Sequence, residues 1–433
     1  MNSRFAFGIL LSLLTLALGA CSHSGSGGGN TNMRVVNAVP DANSITVTVN
    51  DQAVVSNLPF QGLTQYKGVD SGNQEFKVSA NGGTSNAIDT TINITSNTNY
   101  TYVVYNPVAS ATALPFADSG IGSPASGDFS IRVINVASGI GPVDVYLTPP
   151  GTDLNSTSPT ISTTLVGGVS LFFSPAAGTL ELRVTSAGTK DVIYDTPAQA
   201  FVSGNIYEAL VMTAGSSKLV NVAMLNIDDA GTGQLNNNLL ADFKVLNASQ
   251  VPSSLNVLVD GSLTLSNVPY AAVSNYVTIA AGTRTFSVQA TATPGSNLLN
   301  LITTLAPATD TSIMLNGGAG ALQATVLADN NLPPPFGRAR IRFVNGSPDQ
   351  GPLDVYINFS KQVSVLLTNA ASGYNEVTAD ASLGTSFEFD FNVAGTTTPV
   401  LKLPNVTIIA GHTYSIYVIG LSTGLQGVVV KDD

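Results

Sequence analysis

The chain has 433 residues, a formal net charge of −11, one cysteine, two histidines and no tryptophan. So acidic and lysine-poor a chain is a poor candidate for nucleic acid or for a polybasic hold on anionic lipid, and its cysteine and histidine counts exclude an internal disulfide and the usual zinc or copper clusters. Charged residues make up 10%, against roughly 25% in typical domains; Ser, Thr, Asn and Gly take their place, the balance of a secreted β-protein whose exposed faces carry hydroxyls and amides.

Residues 1–20 read as a targeting segment. Arg4 supplies the positive start, and the apolar run from Phe5 to Ala17 is short for a bilayer span. It ends at Leu18-Gly19-Ala20-Cys21, which resembles the bacterial lipobox. That resemblance implies cleavage before Cys21, lipidation of its thiol and acylation of the new N-terminus. Several acyl chains at about 0.8 kcal/mol per buried CH₂ would hold the protein firmly on a membrane. Ser22 follows, and by resemblance to the enterobacterial sorting rule it favours the outer membrane over the inner. Residues 21–32 are a Gly/Ser-rich tether, with a mean reach of about 18 Å over its flexible part.

Beyond the tether a five-residue motif occurs four times. Met33-Arg34-Val35-Val36-Asn37 is echoed by Ile131-Arg132-Val133-Ile134-Asn135, Phe243-Lys244-Val245-Leu246-Asn247 and Ile341-Arg342-Phe343-Val344-Asn345, in steps of 98, 112 and 98. Longer stretches recur at a shift of 210, as Ser56-Asn57-Leu58-Pro59-Phe60 does in Ser266-Asn267-Val268-Pro269-Tyr270. Self-similarity of this kind means a tandem array. Units of roughly 100 residues have the size of a β-sandwich. Short β-branched and aromatic runs alternate with Gly, Pro, Asn and Ser turns, and helical periodicity is nearly absent. The expected fold is all-β: four tandem Ig-like antiparallel sandwiches in two pairs, at 33–118, 128–228, 241–329 and 338–433. Module one is expected to superpose best on three, and two on four. Each module opens with an alternating strand such as Ala339–Phe343, turns, and continues in a second such as Leu353–Ile357. Softer joints fall at 119–124, 228–233 and 330–335.

The opening motif, a following Ser/Pro/Asp/Gly turn and then hydrophobic-Asp-Val-Tyr resemble the family known as domain of unknown function 4397. The best copies run from Ile341 to Ile357, with Leu353-Asp354-Val355-Tyr356, and from Ile131 to Leu147, with Val143-Asp144-Val145-Tyr146. Module one has Thr46 where the pattern has aspartate; module three has Lys244 for the arginine and Asn256 for the aspartate. The resemblance implies β-sandwich modules on secreted or lipid-anchored bacterial proteins and implies no activity.

The repeated Arg/Lys and Asn are the natural candidates for a site. One reading makes them four weak polysaccharide contacts. The favoured reading is structural: a basic residue on an exposed strand face, and an asparagine that bonds the backbone of the next turn. Arg132 with Asp144, and Arg342 with Asp354, are expected to pair across adjacent strands. Hydrolytic triads fail for want of histidine, since His23 lies in the tether and His412 in a turn. A calcium site at Asp228-Asp229 lacks the Asp-x-Asp-x-Asp-Gly spacing. Glu75, Glu181, Glu208, Glu376 and Glu388 alternate with apolar residues, as solvent-facing strand positions do, so the two carboxylates of a glycosidase are not indicated. Tyr66, Tyr146, Tyr276 and Tyr356 are read as exposed; they could stack on sugars, although tyrosine is also an ordinary filler of half-buried strands.

Cys21 is thus the one site assigned, by lipidation; no catalytic residue, metal or cofactor is implied. The expected protein is a non-catalytic lipoprotein of the cell envelope, on the outer membrane, serving as an adhesion or glycan-binding scaffold. Its partners would be the membrane, through the N-terminal lipid, and envelope or extracellular polysaccharide or protein. A passive envelope spacer and, third, a carbohydrate-active hydrolase are the alternatives.

Overall fold

The computed structural model describes residues 31–215, 218–227, 233–318 and 320–433. Residues 1–30, to which the targeting segment, Cys21 and most of the tether are assigned from the sequence, and the Asp228-Asp229 pair lie outside them. The described residues form eight small sheets in four sandwiches. The only helical pieces among them are the single 3₁₀ turns Val108–Ser110 and Leu154–Ser156.

Module one sets the pattern. Its strands are β1 Asn32–Ala38, β2 Ser44–Val49, β3 Gln52–Pro59, β4 Lys67–Gly68, β5 Gly72–Ala80, β6 Asn86–Ile94, β7 Asn99–Tyr105 and β8 Thr112–Ala117. One sheet runs β4-β1-β7-β8 and the other β3-β2-β5-β6. The β2–β3 hairpin closes on Asn50 and Asp51, at φ +48° and +61°, which is the paired left-handed geometry that Asn and Asp tolerate in a two-residue turn. Module three repeats this strand order, and module four does so with the edge strand of its first sheet split into Ala370–Ala371 and Asn375–Thr378. Module two departs from it: an extra strand Gly233–Asn236 extends one sheet, and the far strand of the other is split into Val192–Asp195 and Gln199–Phe201. The main strand order is therefore shared by one, three and four, a different grouping from the one the 210-residue register indicates.

The sandwiches are mainly antiparallel, as expected, with one parallel pairing in each module. β1 and β7 run parallel, in register from Asn32↔Asn99 to Ala38↔Tyr105. The chain leaves its first sheet after β1, builds the second from β2, β3, β5 and β6 with β4 touching back on one side of β1, and returns as β7 on the other side of β1 in the same direction. The same parallel pair joins Ser130–Asn135 to Ile206–Thr213, Leu240–Asn247 to Asp310–Asn316, and Arg338–Asn345 to Thr413–Ile419.

Each sandwich encloses its own core. In module one Met33, Val35, Val47, Phe76, Val78 and Tyr102 pack together, with the Phe76 and Tyr102 rings stacked at 5.0 Å. The outer face of the parallel pair is buried too. Val36, Ala38, Val103 and Tyr105 meet Ile134, Val136, Leu210, Met212 and Leu225 of module two. Leu246, Met314 and Leu327 of module three meet Val344, Tyr417 and Ile419 of module four in the same way. Burying one such side chain fully is worth about 1.5–3 kcal/mol, so each pair is joined by a second apolar core. Strands buried on both faces read as continuous apolar runs, as the Val-Val, Ile and Leu positions of the repeated motif do.

Candidate functional site

The repeated asparagine has the structural role expected of it. Asn37, Asn135, Asn247 and Asn345 are fully buried. Each side-chain oxygen accepts from the backbone N–H two residues on, as Asn37 does from Val39 at 3.0 Å and Asn247 from Ser249 at 2.9 Å. Each side-chain amide donates to a carbonyl across the sandwich, at Leu58, Thr164, Val268 and Leu366. A carboxamide offers both an acceptor and donors, so this one residue closes the first turn and ties it to the opposite sheet.

The repeated basic residue is not on an exposed face. Arg34 is wholly buried, Lys244 and Arg342 nearly so, and the Arg132 side chain keeps 12% of its exposure. The alternation of Arg34 between Met33 and Val35 aims it away from the module's own core, and the partner module covers that outer face. Arg34 donates from Nη2 to Glu208 of module two at 2.9 Å and from Nε to Thr101 at 2.5 Å. Arg132 donates from Nε to the other Glu208 oxygen at 2.9 Å. Asp118 lies 3.4 Å from Arg34 and accepts from Thr101 at 2.6 Å and Tyr66 at 2.5 Å. Two guanidiniums and two carboxylates thus balance inside one seam. Tyr66 stacks under Arg34 at 5.0 Å, and Phe116 and Phe172 flank Arg132 at 4.8 Å each.

The second pair builds its seam from the same positions with different residues. Lys244 of module three bonds Asp432 of module four at 2.5 Å, and Arg342 of module four bonds Asp329 of module three. Arg342 also donates to Ser415 at 2.6 Å, and Tyr276 donates to Asp329 at 2.5 Å while stacking on Lys244 at 4.4 Å. The residue facing each basic group across the parallel pair is Thr101, Glu208, Ser312 or Ser415. Burial drives the Glu208 carboxyl up to about 7, with the charge of Asp118 adding to the effect and the two arginines opposing it. Burial likewise raises Asp118 and Asp432.

The expected cross-strand pairs do not form. Asp144 and Asp354 face away from Arg132 and Arg342 and instead hold a strand irregularity. Asp144 accepts from Thr163 N at 2.6 Å and Asp354 from Val365 N at 3.0 Å. At the same place Thr46 accepts from Asn57 N at 3.1 Å and Asn256 from Asn267 N at 2.8 Å. All four donors sit at φ between +52° and +57°, a left-handed kink in a strand whose register shifts there. An acceptor is required at this position and a charge is not, which is why Thr, Asp and Asn alternate among the copies. Lys361 bonds Asp354 at 2.7 Å and, with two backbone donors, holds that carboxyl down at about 2.

The other carboxylates and tyrosines divide. Glu75, Glu181, Glu376 and Glu388 keep 16–44% of their side-chain exposure, but Glu208 keeps none, because its strand is covered by the partner module. Of the four tyrosines read as exposed, Tyr146 is buried beneath Lys190, Tyr66 and Tyr276 belong to the seams, and Tyr356 is half-buried beside Lys361. His412 bonds Asp433 at 3.1 Å in a partly exposed turn. Among the described residues no group of three His, Cys, Asp or Glu is placed to hold a metal. The double-sided apolar motif was the signal for the seam: a solvent-facing strand would not pair Arg34 with Val36 on its outer face.

Three comparisons bear on these features. The family model described as "Domain of unknown function (DUF4397)" matches residues 31–146, 241–356 and 341–433. No curated protein matches the chain. Among solved structures, similarity extends to a family CBM26 module from Eubacterium rectale in complex with maltoheptaose, at 10% identity and a TM-score of 0.16, covering 42% of this chain and 91% of that one. A family 41 carbohydrate-binding module from streptococcal virulence factors is similar at 14% identity and 0.17, over 42% and 94%. The Bacillus anthracis TIE protein is similar at 9% and 0.15, over 87% and 69%. Likenesses this slight carry no argument about function.

Proposed function

The chain belongs to the DUF4397 family, and from that premise we propose that it is a non-catalytic, lipid-anchored scaffold of the bacterial envelope that binds glycan through its sandwich modules. The observation that carries this reading is the seam. The ionisable side chains Arg34, Asp118, Arg132 and Glu208 are closed between two modules and pair with one another, as Lys244, Asp329, Arg342 and Asp432 do in the second pair. Each seam acts as a joint, and an array of jointed sandwiches is a device for presenting surfaces at fixed spacing. Linked weak sites gain avidity when that spacing fits the target. The N-terminal Leu18-Gly19-Ala20-Cys21 supports attachment at a membrane, on the outer membrane by the serine that follows.

Glycan-array and envelope-extract binding by the detergent-solubilised full chain tests the binding half, with retention on at least one polysaccharide expected. Binding to envelope protein alone would replace glycan by protein adhesion, and no binding at all would leave a passive spacer. Turnover of any glycan, lost on changing one Glu or Asp, would make the protein a hydrolase. Membrane fractionation of Cys21→Ser tests the anchor: release, or an uncleaved precursor, is expected, and unchanged partitioning would contradict it.

A further inference from the structure

Module one carries a polar cleft of about 570 Å³ whose place modules three and four fill differently. It opens between β3 and β4, each the last strand of its own sheet, so two strand edges form its walls. Asn50, Gln52, Lys67, Asp70 and Gln74 line it, with Val49, Val54 and Val69 as the apolar portion. Its floor is a chain of carboxamides. Asn50 accepts from Glu75 N at 2.9 Å and donates to the Gln74 side-chain oxygen, and Gln74, only 6% exposed, donates to Ser71 O at 2.9 Å. Lys67 donates to Val54 O at 2.6 Å, which leaves two of its three donors for a ligand.

The repeat shows what this position does when it is not a cleft. At the shift of 210, Asn50 and Gln74 become Asp260 and Arg284, an ion pair at 3.1 Å. Lys67 and Asp70 become Val277 and Ala280. In module four Asn358 keeps the turn, accepting from Glu388 N at 2.9 Å, while Phe387 stands where Gln74 does. The turn is thus common scaffolding, and the neutral floor with a polar rim is present in module one and not in three or four.

We propose that this cleft is a saccharide-binding site for one or two pyranose units, an inference that rests on the glycan-binding reading above. Its volume falls within the range of about 300–1,000 Å³ of small-molecule sites. One lysine and one aspartate at the rim cancel, so neither an anion nor a cation is favoured. Amide, ammonium and carboxylate groups supply both donors and acceptors to hydroxyls, and half-buried Val69 offers an apolar surface to the C–H groups of a sugar ring.

Isothermal titration of the full chain with maltose, cellobiose, lactose and diacetylchitobiose, each separately, tests the proposal. Two variants copy module three at the same register: Asn50→Asp with Gln74→Arg, which closes the floor by an ion pair, and Lys67→Val. Binding of at least one disaccharide, weakened tenfold or more in both variants with the melting temperature unchanged, is expected. Undiminished binding in both would overturn the cleft as the site and leave the glycan reading standing. No binding of any of the four by the unmodified chain would overturn the cleft as a site for units of this size, while the polysaccharide array separately decides the broader reading.

Discussion

Arg34 and Glu208, 174 residues apart in sequence, meet at 2.9 Å with both side chains wholly buried. They belong to different modules: Glu208 is the nearest counter-charge of Arg34, and Glu208 divides its two oxygens between Arg34 and Arg132. Removing Arg34 leaves the buried carboxylates of Glu208 and Asp118 to share the one guanidinium of Arg132, and breaking a buried pair costs about 3–5 kcal/mol. Arg34→Ala should therefore lose stability of that order in denaturant titration. A loss within about 0.5 kcal/mol, the scale of an ordinary surface change, would show that the seam is solvated.

The seam should also respond to pH. Glu208 titrates at about 7 in the fold, against 4.5 in the unfolded chain, because of burial and then Asp118; Asp118 is shifted the same way, and Arg34, Arg132 and Tyr66 complete its surroundings. A carboxyl whose proton is held more tightly in the fold contributes stability that is complete below about 4.5 and is lost as pH rises through about 7. Asp354, held at about 2, acts in the opposite sense and only below 3.8. Melting temperature should fall from pH 5 to pH 8, and Glu208→Gln should flatten that slope. An equal slope in the variant would assign the dependence elsewhere.

At the strand kinks the acceptor matters and its charge does not. Asp144→Asn should cost clearly less than Asp144→Ala, since the amide oxygen keeps the Thr163 bond, as Asn256 keeps that of Asn267 in module three, and only the Gly188 bond is lost. Asp144→Ala leaves the Thr163 and Gly188 N–H groups, bonded to it at 2.6 and 2.8 Å, without a partner. The expected cost is about 1–3 kcal/mol. Comparable losses for the two variants in urea titration would mean that the charge itself is needed.

Much of the fold was legible because it is repeated. The steps of 98, 112 and 98 place four motifs, and each proves to be the first strand of a sandwich. The turn role of Asn37 and its copies followed from what a carboxamide does beside a tight turn. The basic residues were misplaced because alternation within one strand reports which face a residue takes, and not what covers that face. Arg34 between Met33 and Val35 looks solvent-facing until a second module is laid over it. Val36, Ile134, Leu246 and Val344 carried that information, as apolar residues on a face that a lone sandwich would leave wet. The kink role of Asp144 was hidden for another reason: Thr46 and Asn256 read as departures from a motif, although all of them are hydrogen-bond acceptors. The cleft at Asn50 and Gln74 left no sequence mark, because strand edges from two sheets create it.

The pair of modules, and not the single sandwich, is the structural unit of this protein, and hydrogen exchange read by mass spectrometry on Arg34→Ala tests that most directly. The substitution lies in module one. Protection should fall together in Asn99–Tyr105 of that module and in Ile206–Thr213 of module two, while Asp310–Asn316 and Thr413–Ile419 of the second pair stay as protected as before. Exchange that rises in module one alone, with Ile206–Thr213 unchanged, would contradict the jointed pair.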